Sequence, residues 1–201
     1  MSPKPFLLAS LLAGAAIAMP AAAQQQSEGY KFLQAVREQK NNDVLAMLGR
    51  PGNTPINARD VTTGEGALHI VIRRGDNTYL RYLLQKGADP NLRDGKGATP
   101  MLLAAQLGQA DTITLLASAK ANPNLANSAG ETPLIRAVQQ RNVPTIRALI
   151  AAKANPDQTD NLAGLSARDY ATQDTRYPIL AKLFADVPKQ GRNAAVAGPK
   201  F

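Results

Sequence analysis

The 201-residue chain contains one histidine, His69, and no cysteine. Thiol nucleophiles, disulfides and cysteine-ligated metals are thereby excluded, which leaves acid–base chemistry to one imidazole and the carboxylates. His69 stands in GALHIV, and no nucleophile–base pair can be assembled around it from the sequence. Asp89, Asp94, Asp157 and Asp160 lie in segments rich in asparagine, glycine and proline, where aspartate caps turns. Gly64-Glu65-Gly66 and Gly95-Lys96-Gly97 lack the preceding strand and the third glycine of a phosphate-binding loop. No catalytic residue, metal-ligand set or cofactor is predicted, and the chain is not expected to be an enzyme.

What remains is recognition chemistry. Lysine and arginine number 23 against 15 acidic residues, for a net charge of +8. Nucleic acid is a poor fit, because Arg37, Arg59, Arg73, Arg74, Arg93, Lys96, Arg136, Arg141 and Arg147 are spread along the chain instead of forming one run. Tryptophan is absent, so no stacking platform for single strands is evident. Most of these charges are expected to be solvated. The sharper reading is attraction to an acidic protein face, anionic lipid headgroups or a cell-wall polymer.

The elements that position these groups recur at a fixed spacing. GEGALHIVIRRGD begins at Gly64, GATPMLLAAQLGQ at Gly97 and GETPLIRAVQQRN at Gly130, each 33 residues after the last. A second segment recurs in step as GADPN at Gly87, KANPN at Lys120 and KANPD at Lys153. A constant period of this length predicts a solenoid, in which each unit buries its apolar face against neighbours. Thr99-Pro100 and Thr132-Pro133 predict helix starts, with threonine as N-cap and proline at the first helical position. Leu83 and Leu84, Leu115 and Leu116, and Leu149 and Ile150 place apolar bulk on the returning helices. PNLRDGKG and PNLANSAG carry the residues of tight turns, so each unit is expected to end in a projecting finger. The finger at Val61 to Thr63 is expected to be one residue longer, by the count from Asp60 to Gly64.

The segments ATPMLLA, ETPLIRA and GADPN resemble the ankyrin repeat. The resemblance implies an all-α solenoid of about five helix-turn-helix units, with degenerate first and last units as caps. The units are expected near 29–60, 61–93, 94–126, 127–159 and 160–187. In the last, Ala163 and Ala167 take the places of Gly130 and Leu134 by the 33-residue count. His69 occupies the position of the histidine in the TPLH signature, which implies a structural role in bonding loop backbone. Gly66 stands where the signature has threonine, so that network is expected to be incomplete.

The resemblance also implies a non-catalytic protein-interaction scaffold whose protein partner meets the concave face. Its variable positions fall on Val61, Thr62, Thr63, Glu65, Arg73 and Arg74 in the second unit. The third unit supplies Lys96, Ala98, Gln106 and Leu107, and the fourth Ser128, Ala129, Glu131, Gln139 and Gln140. The fifth supplies Asn161, Leu162, Thr172 and Gln173. The core of the expected site is Thr62, Glu65, Arg73, Arg74, Lys96, Gln106, Leu107, Glu131, Gln139, Gln140 and Leu162. Leu107 and Leu162 are apolar where a monomer would carry polar groups, and a monomer is expected. The alternative function is an electrostatic binder of an anionic cell-envelope component.

The first residues read as an address. MSPKPFLLASLLAGAAIAMPAAAQQQ has Lys4, an apolar run from Phe6 to Met19, Pro20 and then Ala21-Ala22-Ala23. This is the pattern of a cleaved secretory signal peptide over residues 1–23, too short to span a bilayer. It is expected to deliver the protein to a bacterial periplasm or beyond. Cleavage removes one base and no acid, leaving +7 on 178 residues. Residues 188–201 have no helical period and are expected to form a disordered basic tail. The expected outcome of intact-mass measurement on exported protein is a chain starting at Gln24, with or without loss of ammonia from that glutamine. Retention of Met1 to Ala23 would refute the cleavage.

Overall fold

The computed structural model describes residues 21–50 and 55–190, with the side chains of 21–27 left aside. The apolar run at Phe6–Met19 and the tail beyond residue 190 lie outside the described residues.

Ten helices follow one another, and the described residues contain no strand beyond a single bridge between Thr159 and Ser166. They are α1 Ala21–Arg37, α2 Asn41–Leu48, α3 Ala67–Arg74, α4 Asn77–Gln85, α5 Pro100–Gln106, α6 Ala110–Ser118, α7 Pro133–Gln139, α8 Val143–Ala151, α9 Ala167–Gln173 and α10 Ile179–Lys182. A single 3-10 turn, Pro55–Asn57, follows α2. The helices alternate between an inner row (α1, α3, α5, α7, α9) and an outer row. Each inner helix packs closely on the next, whereas among the outer helices only α6 and α8 approach as closely. Val71, Ala104, Ala137 and Ala171 explain the tight inner row: each is buried, and three of them are alanines that let backbones approach. The outer helices stand apart on bulkier side chains. Tyr79 and Tyr82, stacked with ring centroids 5.9 Å apart, line the space between α4 and α2.

The helix starts follow from their caps. The Thr99 and Thr132 hydroxyls accept from the Leu102 and Ile135 amides at 3.2 Å, as the TP dipeptides require. The core is continuous, with Leu83, Leu116 and Leu149 fully buried at one position of successive outer helices.

Two hydrogen-bond ladders join the units where helices do not touch. At the fingers, Gly95 N–H donates to the Thr63 carbonyl at 2.8 Å, Ser128 N–H to Lys96 at 3.1 Å, and Asn161 N–H to Ala129 at 3.0 Å. At the opposite turn, the side-chain oxygens of Asn57, Asn91 and Asn124 accept from the amides of Asp89, Asn122 and Asn155, one unit on. This second ladder accounts for the asparagine of each PN dipeptide. Asp157 replaces that asparagine in the last copy. Its carboxylate instead takes Arg168 at 2.7 Å and the Gln190 amide at 2.8 Å, while Arg168 also donates to the Phe184 and Val187 carbonyls. The aspartate thus turns a joining position into a closing one.

Within the described residues the inner helix of the first unit runs over Ala21–Arg37. Two expectations need correction. In the last unit the left-handed finger glycine is Gly164, not Ala163, and Ser166 caps α9 where Thr132 caps α7. That unit is displaced by one residue from the 33-residue count, because its finger is longer by one, as is the finger after Asp60. The longer loops are held by the carboxylates at their bases. Asp60 accepts from the Thr62 and Thr63 amides, and Asp160 from those of Leu162, Ala163 and Gly164. The second concerns His69: Gly66 supplies no cap hydroxyl, as expected, yet both ring nitrogens have partners. Its Nδ1 accepts from the Gly66 amide at 3.2 Å, and its Nε2 lies 3.1 Å from the Ala98 carbonyl, to which it donates.

Each outer helix that is followed by a further unit in the clear repeats ends on a left-handed residue: Gly87 (φ 91°), Lys120 (φ 64°) and Lys153 (φ 65°). The next amides close Schellman bonds, such as Ala121 N–H to the Leu116 carbonyl at 3.0 Å. Lysine adopts this conformation at a cost of about 1–2 kcal/mol, part of which glycine returns as unfolded-state entropy. Lys120→Gly and Lys153→Gly are each expected to leave stability unchanged or raise it by up to about 1 kcal/mol in urea melts. Clear destabilisation of both variants would refute this account of the turn.

Candidate binding face

The fingers and the C-terminal ends of the inner helices make one continuous face. Its rigidity comes from below. His69, fully buried under the first finger, ties the start of α3 to the carbonyl before Thr99, linking the second unit to the third. Burial holds the His69 imidazole below its ordinary pKa of 6.5, only partly offset by the bond to Ala98, so the ring is neutral at neutral pH.

The finger carboxylates are equally committed. The Thr63 amide, Arg37 and the Thr62 amide hold Asp60 well below the ordinary carboxylate range, with Arg37 at 2.6 Å. Burial raises Asp160, but the Tyr170 hydroxyl at 2.6 Å and the three finger amides outweigh it and leave the group depressed. These carboxylates serve as loop anchors, and none faces another in a way that would share a proton.

The expected site residues separate into two groups. Thr62, Arg73, Lys96, Leu107, Gln139, Gln140 and Leu162 are exposed on the face. Leu162 is 86% exposed at a finger tip and Leu107 45% exposed at the end of α5. Val61, 82% exposed, tips the other long finger, so the row of fingers carries an apolar side chain at each end and Lys96 between them. Glu65, Arg74, Gln106 and Glu131 are half-buried. Glu65 accepts from Arg73 Nε at 2.9 Å, and Glu131 from Arg136 at 3.0 Å. Arg74 turns away from the face. It donates to the Val36 carbonyl and to Asp76, both at 3.0 Å, and its guanidinium lies 5.6 Å from the Tyr79 ring centroid. Its role is to join the first two units. Gln140 is exposed yet also spans units, donating to the Gln106 carbonyl at 2.8 Å.

One part of the face was not anticipated. Arg141 Nε donates to Asp174 at 2.6 Å and lies 4.4 Å from the centre of the Tyr177 ring. Arg141 pulls Asp174 below its ordinary range. Together with Gln139, Tyr170, Gln173 and Arg176 they border an open hollow of about 340 Å³. The 33-residue count pointed to Thr172 and Gln173. The one-residue shift makes Gln173 and Asp174 the matching pair, and the SARD capping box, with Ser166 and Asp169 bonded reciprocally, was the signal for it.

Among the described residues no group of three or more histidine or acidic side chains is placed to hold a metal ion, and no helix is long and apolar enough to cross a membrane. The face can bind by shape, apolar contact and charge-assisted hydrogen bonds.

Comparison with known proteins agrees with this geometry. A family model described as "Ankyrin repeats (3 copies)" matches residues 32–127, and one described as "Ankyrin repeat" matches 129–161. The chain is 33% identical over 87 residues to the Oxysterol-binding protein homolog 1 of Saccharomyces cerevisiae, a stretch covering 42% of this chain and 7% of that protein. It is 38% identical over 87 residues to a putative ankyrin repeat protein of Acanthamoeba polyphaga mimivirus, covering 42% and 12%. A putative ankyrin repeat protein of Pseudomonas aeruginosa is 44% identical over 48 residues, covering 24% and 28%. The matched segments span less than a third of each of these relatives.

The buried imidazole generates a pH test. A histidine whose folded pKa is depressed contributes stability that is complete above the unfolded value of 6.5 and is lost as pH falls below it. The depressed aspartates act in a separate window, since their contribution is lost only as pH falls below the ordinary value of 3.8. Urea midpoints should therefore fall between about pH 7.5 and about pH 5, and His69→Gln should flatten that slope while lowering stability overall. An equal slope in the variant would show that His69 is not the group responsible.

Proposed function

Because the chain belongs to the ankyrin repeat family, a family of protein–protein interaction modules that is generally non-catalytic, we propose that it is a scaffold or accessory protein that holds one protein partner against its concave face. The observation that carries this reading is the finger row. Its backbone is cross-linked unit to unit by the ladder from Thr63 to Asn161, so little ordering entropy is lost on binding. On that rigid row stand Val61, Lys96 and Leu162, with Arg73 and Leu107 behind them. Arg73 is held in place by Glu65, and an oriented arginine next to an exposed aliphatic side chain is the composition of an interface anchor. We place the protein in the periplasm of a bacterium on the pattern of Lys4, the run Phe6–Met19 and Ala21-x-Ala23.

Crosslinking in the envelope fraction supplies the partner, and substitution then tests the face. Arg73→Glu combined with Leu107→Asp is expected to weaken the partner's affinity at least about 30-fold, the scale of an anchor worth about 2 kcal/mol. Arg81→Glu on the outer row should leave it unchanged. A folded double variant that binds as tightly as the Arg81 variant would refute the concave site.

A further inference from the structure

The sequence carries its excess of base along its whole length, but the fold does not distribute it evenly. On the concave side, four bases are paired with acids, Arg37 with Asp60, Arg73 with Glu65, Arg136 with Glu131 and Arg141 with Asp174, while Lys96, Arg59 and Arg176 form no ion pair among the described residues. The outer row differs. Arg81 and Arg147 stand at the same position of α4 and α8, and both are exposed. Lys120 and Lys153 stand at the same position after α6 and α8, and Lys86 one position earlier after α4. None of these five forms an ion pair among the described residues; the Lys86 amine lies 5.7 Å from the Tyr82 ring centroid. The acids nearest in sequence are engaged or distant: Asp76 pairs with Arg74, Asp157 pairs with Arg168, the Asp89 carboxylate accepts from the Asn91 amide, and Asp111 lies in the first turn of α6, at the far end of that helix from Lys120. Three successive units thus present five cations on one flank.

Backbone conformation is a second, independent observation. Lys120 and Lys153 occupy left-handed turns at φ 64° and 65°, where the same turn in the preceding unit uses Gly87. Local stability favours glycine at both places, so the charge is kept there against the backbone's preference. The flank also lacks an apolar insertion element: the large exposed apolar residues of these three units, Val61 and Leu107, lie on the opposite face.

We propose that this outer flank adsorbs the protein on an anionic lipid bilayer. Five bases spread over a convex flank, without a groove or an exposed aromatic platform, suit a broad anionic plane better than a single strand. Polybasic surfaces of four to eight lysines or arginines adsorb in this way through charge, with strong salt dependence. The concave face would then point away from the lipid, free for its protein partner. This inference does not depend on the concave reading, since it concerns the other side of the solenoid.

The test exploits the unusual turns, because Lys120→Gly and Lys153→Gly remove charge where the left-handed backbone favours glycine. Cosedimentation uses the full mature chain with vesicles of phosphatidylglycerol and phosphatidylcholine in equal parts, and with phosphatidylcholine alone. The intact protein should bind the anionic vesicles at about 50 mM salt, release at about 500 mM, and ignore the neutral ones. The double glycine variant should bind at least about tenfold more weakly. A charge-matched control, Arg59→Gln with Arg176→Gln on the finger side, should bind within about twofold of the intact chain. If the glycine variants fold poorly, Lys120→Gln with Lys153→Gln takes their place. The inference is overturned if the intact protein fails to bind anionic vesicles, if neutral vesicles bind equally well, or if both double variants lose the same affinity. Loss of partner binding by the Arg73 and Leu107 substitutions is read separately, so either proposal can fail alone.

Discussion

Three reversals of chain direction in each of the three middle units, each turning on a left-handed residue, are the constraint on which the rest of the structure depends. After the inner helices these residues are Gln39, Gly75, Gly108 and Arg141; after the outer helices Gly87, Lys120 and Lys153; in the fingers Gly64, Gly97, Gly130 and Gly164. Together they are all the positive-φ residues among the described part of the chain. They act as switches that keep the helices in register, so that Leu83, Leu116 and Leu149 meet in one core and the finger amides face the carbonyls of the preceding finger. Three of the four fingers leave no room for a side chain at this residue. A β-carbon on Gly64, Gly97 or Gly130 would meet the next finger, at Gly130 2.7 Å from the backbone of Asn161, whereas Gly164 in the last finger has open space around it. Non-glycine residues occur only at the two helix ends, as lysine, arginine and glutamine.

A solenoid must also stop, and the stopping residues follow from what each ladder lacks at its end. The asparagine ladder has no further amide to accept from beyond Asn155, and aspartate appears at 157 to take a guanidinium instead. Burial alone would raise the Asp157 carboxyl, but Arg168 and the Gln190 amide hold it below its ordinary range. Arg168 in turn satisfies two carbonyls of the closing segment and lies 5.8 Å from the Phe184 ring centroid. One salt bridge thus does at the end what a whole further unit does elsewhere. A half-buried ion pair with every hydrogen-bonding group matched is a position where removing one partner costs far more than the pair contributes.

Much of the fold could be read in the chain because its signals are local. Thr99-Pro100 specifies a helix start within two residues, and PN followed by glycine specifies a turn within eight. The period then multiplies each local signal by the number of units. What could not be read depends on contacts between units. A fixed count carried Ala163 into the place of Gly164, since a finger length is set by how many amides an aspartate can gather, as Asp160 does with three. Arg73 and Arg74 are adjacent and alike, yet one faces the concave side and the other bonds Val36 and Asp76. On a helix adjacent residues point about 100° apart, and only the partner in the previous unit decides which is used for packing. Counting positions by the repeat gave the exposed face correctly at Lys96, Leu107 and Gln139, but could not distinguish arginines presented to solvent from those used as joints.

The distribution of charge separates two kinds of recognition on one molecule. On the concave side, carboxylates fix arginines in place: Glu65 holds Arg73, and Asp174 holds Arg141 against Tyr177. Paired charge has a short reach, so arginines fixed in this way are suited to recognition by shape and hydrogen-bond geometry, which salt affects weakly. On the outer side, Lys120 and Lys153 stand on flexible stems without partners, and their field extends to about one Debye length, roughly 8 Å at physiological salt. That arrangement attracts without orienting and discriminates little. The net charge of the chain is therefore a poor guide to how its charge is arranged, because Arg73, Arg136 and Arg141 are paired with acids on the concave side while Lys120 and Lys153 on the outer side are not.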